Sequence, residues 1–248
     1  MNKRKKETEL VTGKLYDFVL FNFLVKDKKN AEEVINAGRG FVIPGIIASE
    51  FDDIHAGARR VKEIKEVAEL VSIGLGGGGN PEFAGRVVEI AALSNPGHIN
   101  QPFERSSFAR GYLEGIGNPQ LVNALVVPSG HVGCIKLYSG LEMKVEDFVE
   151  MAKAMGIESV KFMPLKGITH LDELVYLTKI AAKNGLRGIE PAGGINHTNI
   201  KRVINAVKDI DIEFFMPHIF GSTIDKESGR TIPAEVKKIL LALEGKPC

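Results

Sequence analysis

Eight short apolar runs, most of them followed by a longer stretch with helical spacing, constrain this chain more than any other feature. The runs are Phe18–Val25, Phe41–Ile47, Leu70–Leu75, His98–Gln101, Ala124–Pro128, Ser159–Leu165, Gly188–Ala192 and Phe214–Phe220. Several place β-branched and apolar residues at consecutive positions. That is the pattern of strands covered on both faces, as in a parallel sheet. Helical spacing is clear over Ala56–Glu69, Pro81–Ala92, Lys144–Met155, His170–Asn184, Thr198–Lys208 and Ala234–Leu243. Asn80 precedes Pro81 as a cap, and Gly185 follows Asn184 as a stop. Eight such units in 248 residues fit a single-domain α/β chain folded as a (β/α)8 TIM barrel, which uses about 250 residues. An open doubly wound sheet is the other arrangement that the pattern allows. The fourth run is short and polar. The stretch after Pro128 reads as a loop, with Cys134–Tyr138 returning as a small hairpin arm.

Composition removes several classes of function. Thirty-two basic side chains oppose 31 acidic ones, and Lys3, Arg4, Lys5 and Lys6 all lie at the start. The body without them is slightly acidic, which argues against a nucleic-acid protein. Residues 1–14 are expected to be a disordered basic tail, and residues 15–248 the barrel domain. Two cysteines, Cys134 and Cys248, make neither a disulfide framework nor a zinc cluster. No apolar stretch is long enough to span a membrane, and Glu7 and Glu9 interrupt any signal-peptide core. The expectation is a cytoplasmic protein that binds neither nucleic acid nor membrane. Histidines and carboxylates show no metal-ligand spacing, so neither metal nor cofactor is expected.

Active sites of such barrels lie at the carboxyl ends of the strands. Lys161 asks for an explanation there, because it sits between Val160 and Phe162 inside the sixth run. A buried ammonium is costly. A lysine with a depressed pKa is the usual Schiff-base nucleophile toward a carbonyl; the other reading is a lysine that snorkels to a barrel end. Glu190, on the next run, could pair with Lys161 and shuttle protons, or only support its charge. Alternation turns Lys161 and Glu190 inward and Val160, Phe162, Ile189 and Pro191 toward the helices, so the two charges could meet directly. His98 and His218 also sit on strand ends, as packing residues or as acid–base groups. Gly193-Gly194 after the seventh run and Gly221-Ser222 after the eighth read as a phosphate cup, since backbone amides can approach an anion closely there. Gly76–Gly79 lacks the Lys-Ser/Thr of a Walker loop. It reads either as a flexible turn or as a floor where substrate approaches Gly76 and Gly77.

Val160-Lys161-Phe162-Met163-Pro164, followed by Glu190-Pro191-Ala192-Gly193-Gly194-Ile195, resembles the class I 2-keto-3-deoxy-6-phosphogluconate (KDPG) aldolases. Ile73–Pro81 resembles a glycine-rich segment of the same family. His98-Ile99-Asn100-Gln101, Lys136 and Pro217-His218-Ile219 bring the chain nearer to the divergent branch found in bacterial glucosaminate catabolism. The resemblance runs from about Asp17 to Glu244. It implies Lys161 as nucleophile, Gly193, Gly194 and Ser222 as phosphate contacts, and Phe162 as a pocket wall. It also implies a homo-oligomer. The departures lie on the second strand, where the better-known branch has a catalytic Glu and a carboxylate-binding Arg. Those positions fall near Pro44 and Ala48, and neither can serve. The family's Thr after the third strand becomes Gly77. Glu190 is then the first choice for the base, followed by His98 and His218. Lys136 is either the carboxylate clamp or a surface lysine.

The expected reaction is metal-independent cleavage of 2-keto-3-deoxy-6-phosphogluconate to pyruvate and glyceraldehyde 3-phosphate, with 4-hydroxy-2-oxoglutarate as a second candidate substrate. The rivals are a phosphosugar isomerase or epimerase on the same barrel and a non-catalytic protein that binds a phosphorylated sugar acid.

Overall fold

All eight runs become parallel strands in the computed structural model, which describes residues 13–244. They are β1 (Phe21–Leu24), β2 (Val42–Ile47), β3 (Val71–Gly74), β4 (Gly97–Pro102), β5 (Leu121–Pro128), β8 (Ser159–Phe162), β9 (Gly188–Pro191) and β10 (Phe214–Phe215). Their order in the sheet is β1-β2-β3-β4-β5-β8-β9-β10. Parallel bridges Val19↔Phe215 and Asn22↔His218 bring the last strand back to the first and close the barrel. The final strand is short because Pro217 has no N–H to give the ladder. The hairpin arm also forms, from β6 (Cys134–Lys136) and β7 (Glu142–Lys144), and β6 runs antiparallel to the end of β5. The expected basic tail, apart from Gly13 and Lys14, and Cys248 lie outside the described residues.

Among the described residues seven α-helices connect the strands, α1 (Lys28–Ala37), α2 (Ile54–Ile64), α3 (Ala84–Ser94), α4 (Phe103–Gly115), α5 (Val145–Ala154), α6 (Leu171–Lys183) and α7 (Ile200–Val207), and an eighth, α8 (Pro233–Glu244), follows the last strand. Asp27 and Asp53 cap α1 and α2 by accepting from backbone amides of the first turn. Asn80 accepts from the Glu82 amide, as a cap should, but the turn it opens is a 3-10 turn, Pro81–Phe83, ahead of α3. Helix α4 escapes the apolar pattern because Phe108 and Tyr112 lie on its exposed side, opposite the buried Ala109 and Leu113. No helix among the described residues is long and apolar enough to cross a membrane.

The barrel has two apolar zones, and the alternation of strand residues explains both. Residues such as Phe21, Phe23, Val71, Ile73, Val160, Phe162 and Ile189 point outward and pack under the helices in one large core. Leu20, Ile43, Leu70, Leu121, Phe214 and Met216 form a separate cluster. They precede by two residues Asn22, Gly45, Ser72, Asn123, Met216 and His218, so they plug the amino-terminal end of the barrel interior. Above that plug the interior changes character. Asn22, Ser72, His98, Asn100, Asn123, Ser159, Lys161, Glu190 and His218 are all buried.

Candidate active site

The polar layer is assembled by strand register. Ser72 lies beside His98, Asn100 beside Asn123, Asn123 beside Ser159, and Lys161 beside Glu190. Glu190 is fully buried and both carboxylate oxygens are engaged. Its Oε1 accepts from Ser159 Oγ at 2.7 Å and from His98 Nε2 at 3.0 Å, and its Oε2 accepts from His218 Nε2 at 2.6 Å. Facing a carboxylate, both imidazoles carry the proton on Nε2, a tautomer assigned from these partners. His98 Nδ1 then accepts from Ser72 Oγ at 2.9 Å. His218 Nδ1 faces Lys161 Nζ at 3.1 Å and accepts from it.

The expected direct meeting of Lys161 with Glu190 therefore does not occur: the His218 ring stands between them as a bridge. Lys161, His218 and Glu190 form one chain of hydrogen bonds, amine to imidazole to carboxylate. Burial pushes the Lys161 ammonium down to about 8, with Glu190 pulling the other way. Burial and the nearby ammonium push His218 down to about 3. Burial alone would raise the Glu190 carboxyl, but His98 and His218 more than offset it and hold the group well below the usual carboxylate range. The resting layer thus holds one cation and one anion, joined by a neutral imidazole.

A cavity of ≈ 160 Å³ opens beside this layer. Lys161, His218, Asn22, Ser72 and Asn100 supply its polar wall, and Leu24, Ile46, Leu125, Met163 and Phe220 its apolar wall. Gly76–Gly79 forms one side. All four glycines have positive φ, and a Cβ on Gly76 would collide with Ser49 Oγ, so the turn requires glycine there. Phe220 places its ring 5.8 Å from Lys161 Nζ and edge-on to His218.

The profile of the family described as KDGP aldolase matches residues 15–227. A 2-dehydro-3-deoxy-phosphogluconate aldolase of Salmonella typhimurium is 32% identical over 231 residues, which is 90% of this chain and 93% of that protein. The chain belongs to the KDGP aldolase family. Among solved structures, thiamine phosphate pyrophosphorylase from Pyrococcus furiosus aligns with TM-score 0.59 at 10% identity, over 93% of this chain and 96% of its own. A 3-hexulose-6-phosphate synthase aligns with TM-score 0.54 at 14% identity, over 90% and 100%. At such identities these two speak for the barrel alone.

In this aldolase the residues singled out from sequence divide into three groups. Lys161, His218, Gly76 and Gly77 line the cavity. Glu190 and His98 sit directly behind that wall, fully buried and outside the cavity lining. The rest lie elsewhere. Phe162 points into the core under the helices, and Phe220 stands where an aromatic wall was expected. Lys136 is on the exposed hairpin, 3.7 Å from Glu142, which is the surface reading of that lysine. Gly193 and Gly194 have positive φ, and the chain after β8 packs against them. A Cβ on Gly193 would lie 2.9 Å from Pro164 Cβ, and one on Gly194 2.5 Å from the Gly167 amide nitrogen. The loop after β10 is tied to this turn, with Ser222 Oγ donating to the Ile195 carbonyl at 3.2 Å. Among the described residues, the amides of Gly194, Ile195, Gly221 and Ser222 donate to no protein acceptor, whereas the amide of Gly193 faces the His218 carbonyl in the bridge between Ala192 and His218. Asn22, Ser72, Asn100 and Phe220 were not foreseen. Asn100 and Phe220 carry a signal, since each follows by two residues a histidine already singled out, His98 and His218; Asn22 and Ser72 carry none beyond their inward places on β1 and β3.

Proposed function

We propose that this chain is a Schiff-base aldolase that cleaves 2-dehydro-3-deoxy-6-phosphogluconate to pyruvate and glyceraldehyde 3-phosphate, with Lys161 as the nucleophile and His218 as the proton carrier. The observation that carries the reading is the position of Lys161 Nζ, buried at the cavity wall and hydrogen-bonded to a neutral imidazole that lines the same cavity. The name of the Salmonella relative supports the choice of substrate.

The free amine of Lys161 attacks the C2 ketone, and the proton it gave up is returned through His218 to the departing hydroxyl as water leaves. The iminium is an electron sink. His218 Nδ1 takes the C4 hydroxyl proton, the C3–C4 bond breaks, its electron pair moves into the new C2–C3 double bond, and the aldehyde departs. The enamine carbon then recovers a proton from His218, and water hydrolyses the iminium to release pyruvate and the amine. Glu190 never touches substrate. It holds the His218 tautomer and stabilises the imidazolium during cleavage, the part a carboxylate plays behind a catalytic histidine. The free amides after β9 and β10 are the proposed phosphate seat, where Ser222 and the two glycine-bearing loops meet. The assembly is proposed to be a homo-oligomer in the cytoplasm.

Borohydride reduction in the presence of pyruvate tests the reading. The expected result is a pyruvyl mass on the peptide that contains Lys161, and a Lys161→Arg protein that neither labels nor turns over. A label on another lysine, or turnover by Lys161→Arg, removes the Schiff-base assignment and leaves the isomerase reading in its place.

A further inference from the structure

The proposed reaction needs a seat for the carboxylate of the keto acid, and among the described residues no arginine lines the cavity. Lys136, the lysine that sequence reasoning offered for the role, pairs with Glu142 on the hairpin surface. What the cavity does present beside Lys161 is main chain. The amides of Gly76, Gly77 and Gly78 donate to no protein acceptor among the described residues, whereas those of Gly79 and Asn80 are both spent on the Gly76 carbonyl. Three consecutive unspent N–H donors in a largely apolar recess suit a carboxylate.

A turn of four glycines at positive φ is a loose support, since glycine loses more freedom on ordering than any other residue. The hairpin arm supplies what the turn lacks. Tyr138 Oη donates to the Gly78 carbonyl at 3.3 Å. A Cβ on Gly79 would lie 3.3 Å from that same hydroxyl, so the ring rests against the turn. The arm is itself held at both ends. Ser139 donates its amide to Glu104 on α4, and Ser129 and Gly130, where the arm leaves β5, donate theirs to Glu173 on α6.

We propose that Tyr138 is a positioning residue that fixes the Gly76–Gly78 amides as the carboxylate seat of the keto-acid substrate. The inference rests on the Schiff-base reading of Lys161. It predicts discrimination between a charged and a neutral ligand of the same size.

The test is borohydride trapping on the full chain with pyruvate and, separately, with pyruvamide, comparing wild type with Tyr138→Phe. Wild type should reach half-maximal labelling of Lys161 at lower pyruvate than pyruvamide. Tyr138→Phe, which deletes one hydroxyl, should raise the half-saturating pyruvate concentration about two- to tenfold and leave pyruvamide unchanged. Glu104→Ala, which frees the Ser139 amide next to Tyr138, should shift pyruvate in the same direction. A variant that weakens both ligands equally, or neither, overturns the role of Tyr138, as does a wild type that does not prefer pyruvate. Complete absence of a Lys161 adduct in wild type overturns the Schiff-base reading and the inference together. A Lys161 adduct with an unchanged pyruvate-to-pyruvamide ratio overturns the inference alone.

Discussion

Under the proposed mechanism Glu190→Gln should separate imine formation from carbon–carbon cleavage, because the carboxylate would act on both through His218. In the native layer Glu190 accepts from three donors, Ser159, His98 and His218. A carboxamide cannot accept from all three. If its oxygen keeps Ser159 and His98, its amino group faces His218 Nε2, which must then lose its proton. The ring responds by carrying the proton on Nδ1, toward Lys161. An ammonium cannot face an N–H donor, so Lys161 becomes the neutral amine. The charge effect has the same sign: burial holds the Lys161 value at about 8 against the pull of Glu190, and removing that pull lowers it further. The amine is thus available over a wider pH range, and pyruvate trapping at neutral pH should persist, with its acid limb moved to lower pH. Cleavage should suffer, because His218 no longer offers a lone pair to the C4 hydroxyl. General acid–base catalysis contributes about 10²- to 10⁴-fold, so kcat should fall at least a hundredfold. The rearranged buried donors should also cost about 1–3 kcal/mol of stability, read by denaturant unfolding. Cleavage at the wild-type rate would refute the relay. Loss of trapping together with cleavage, in a folded variant, would refute the separation of the two roles.

Stability should fall as pH is lowered from about 6.5 toward 3, since unfolded His218 takes up a proton that the folded ring refuses until about 3. The contribution is about 1.4 kcal/mol per pH unit, and unfolding of His218→Gln should show a correspondingly shallower acid dependence than wild type. Gly194→Ala should lower stability by more than about 1 kcal/mol, because its Cβ meets the Gly167 amide and its φ is +76°; an unchanged denaturation midpoint would argue against that packing. Lys136→Ala should keep turnover near wild type and change stability by at most about 0.5 kcal/mol, the size of an exposed ion pair. A large rise in KM would return this lysine to the substrate.

Much of the barrel was legible because each strand is covered on both faces and each helix carries an apolar stripe. Lys161 was legible for the opposite reason, as a charge inside an apolar run. Glu190 stands out as well, but the direct pairing with Lys161 expected of it does not occur. Period-two alternation says that Lys161 and Glu190 both face inward, and they do. It does not say that a third side chain, delivered by the last strand, stands between them. His218 reaches that place only through closure of the barrel, a contact between residues 57 positions apart. Asn22, Ser72 and Asn123 each read alone as an ordinary polar residue, and only strand register stacks them into one layer. The hairpin arm showed itself as an irregular stretch, but nothing in Cys134–Tyr138 announces that its tyrosine rests on a glycine turn more than fifty residues earlier.

The polar layer is also a poor way to hold a barrel together. Directly beneath it the interior is filled with Leu20, Ile43, Leu70, Leu121, Phe214 and Met216, which need no partners. One ammonium, one carboxylate and two imidazoles above that plug must satisfy one another away from water. Among the described residues no buried side-chain polar atom lacks a hydrogen bond. Replacing such an array with matched apolar residues is often neutral or stabilising, whereas removing one member strands the others. Packing therefore gives no reason for the layer to exist, and hydrogen bonding only makes it tolerable. What it supplies that an apolar layer cannot is an amine with a depressed pKa, next to an uncharged base, at the wall of a cavity. That is the set of properties imine chemistry requires, and it places the cost of burying these groups at the one level of the barrel where the cavity opens.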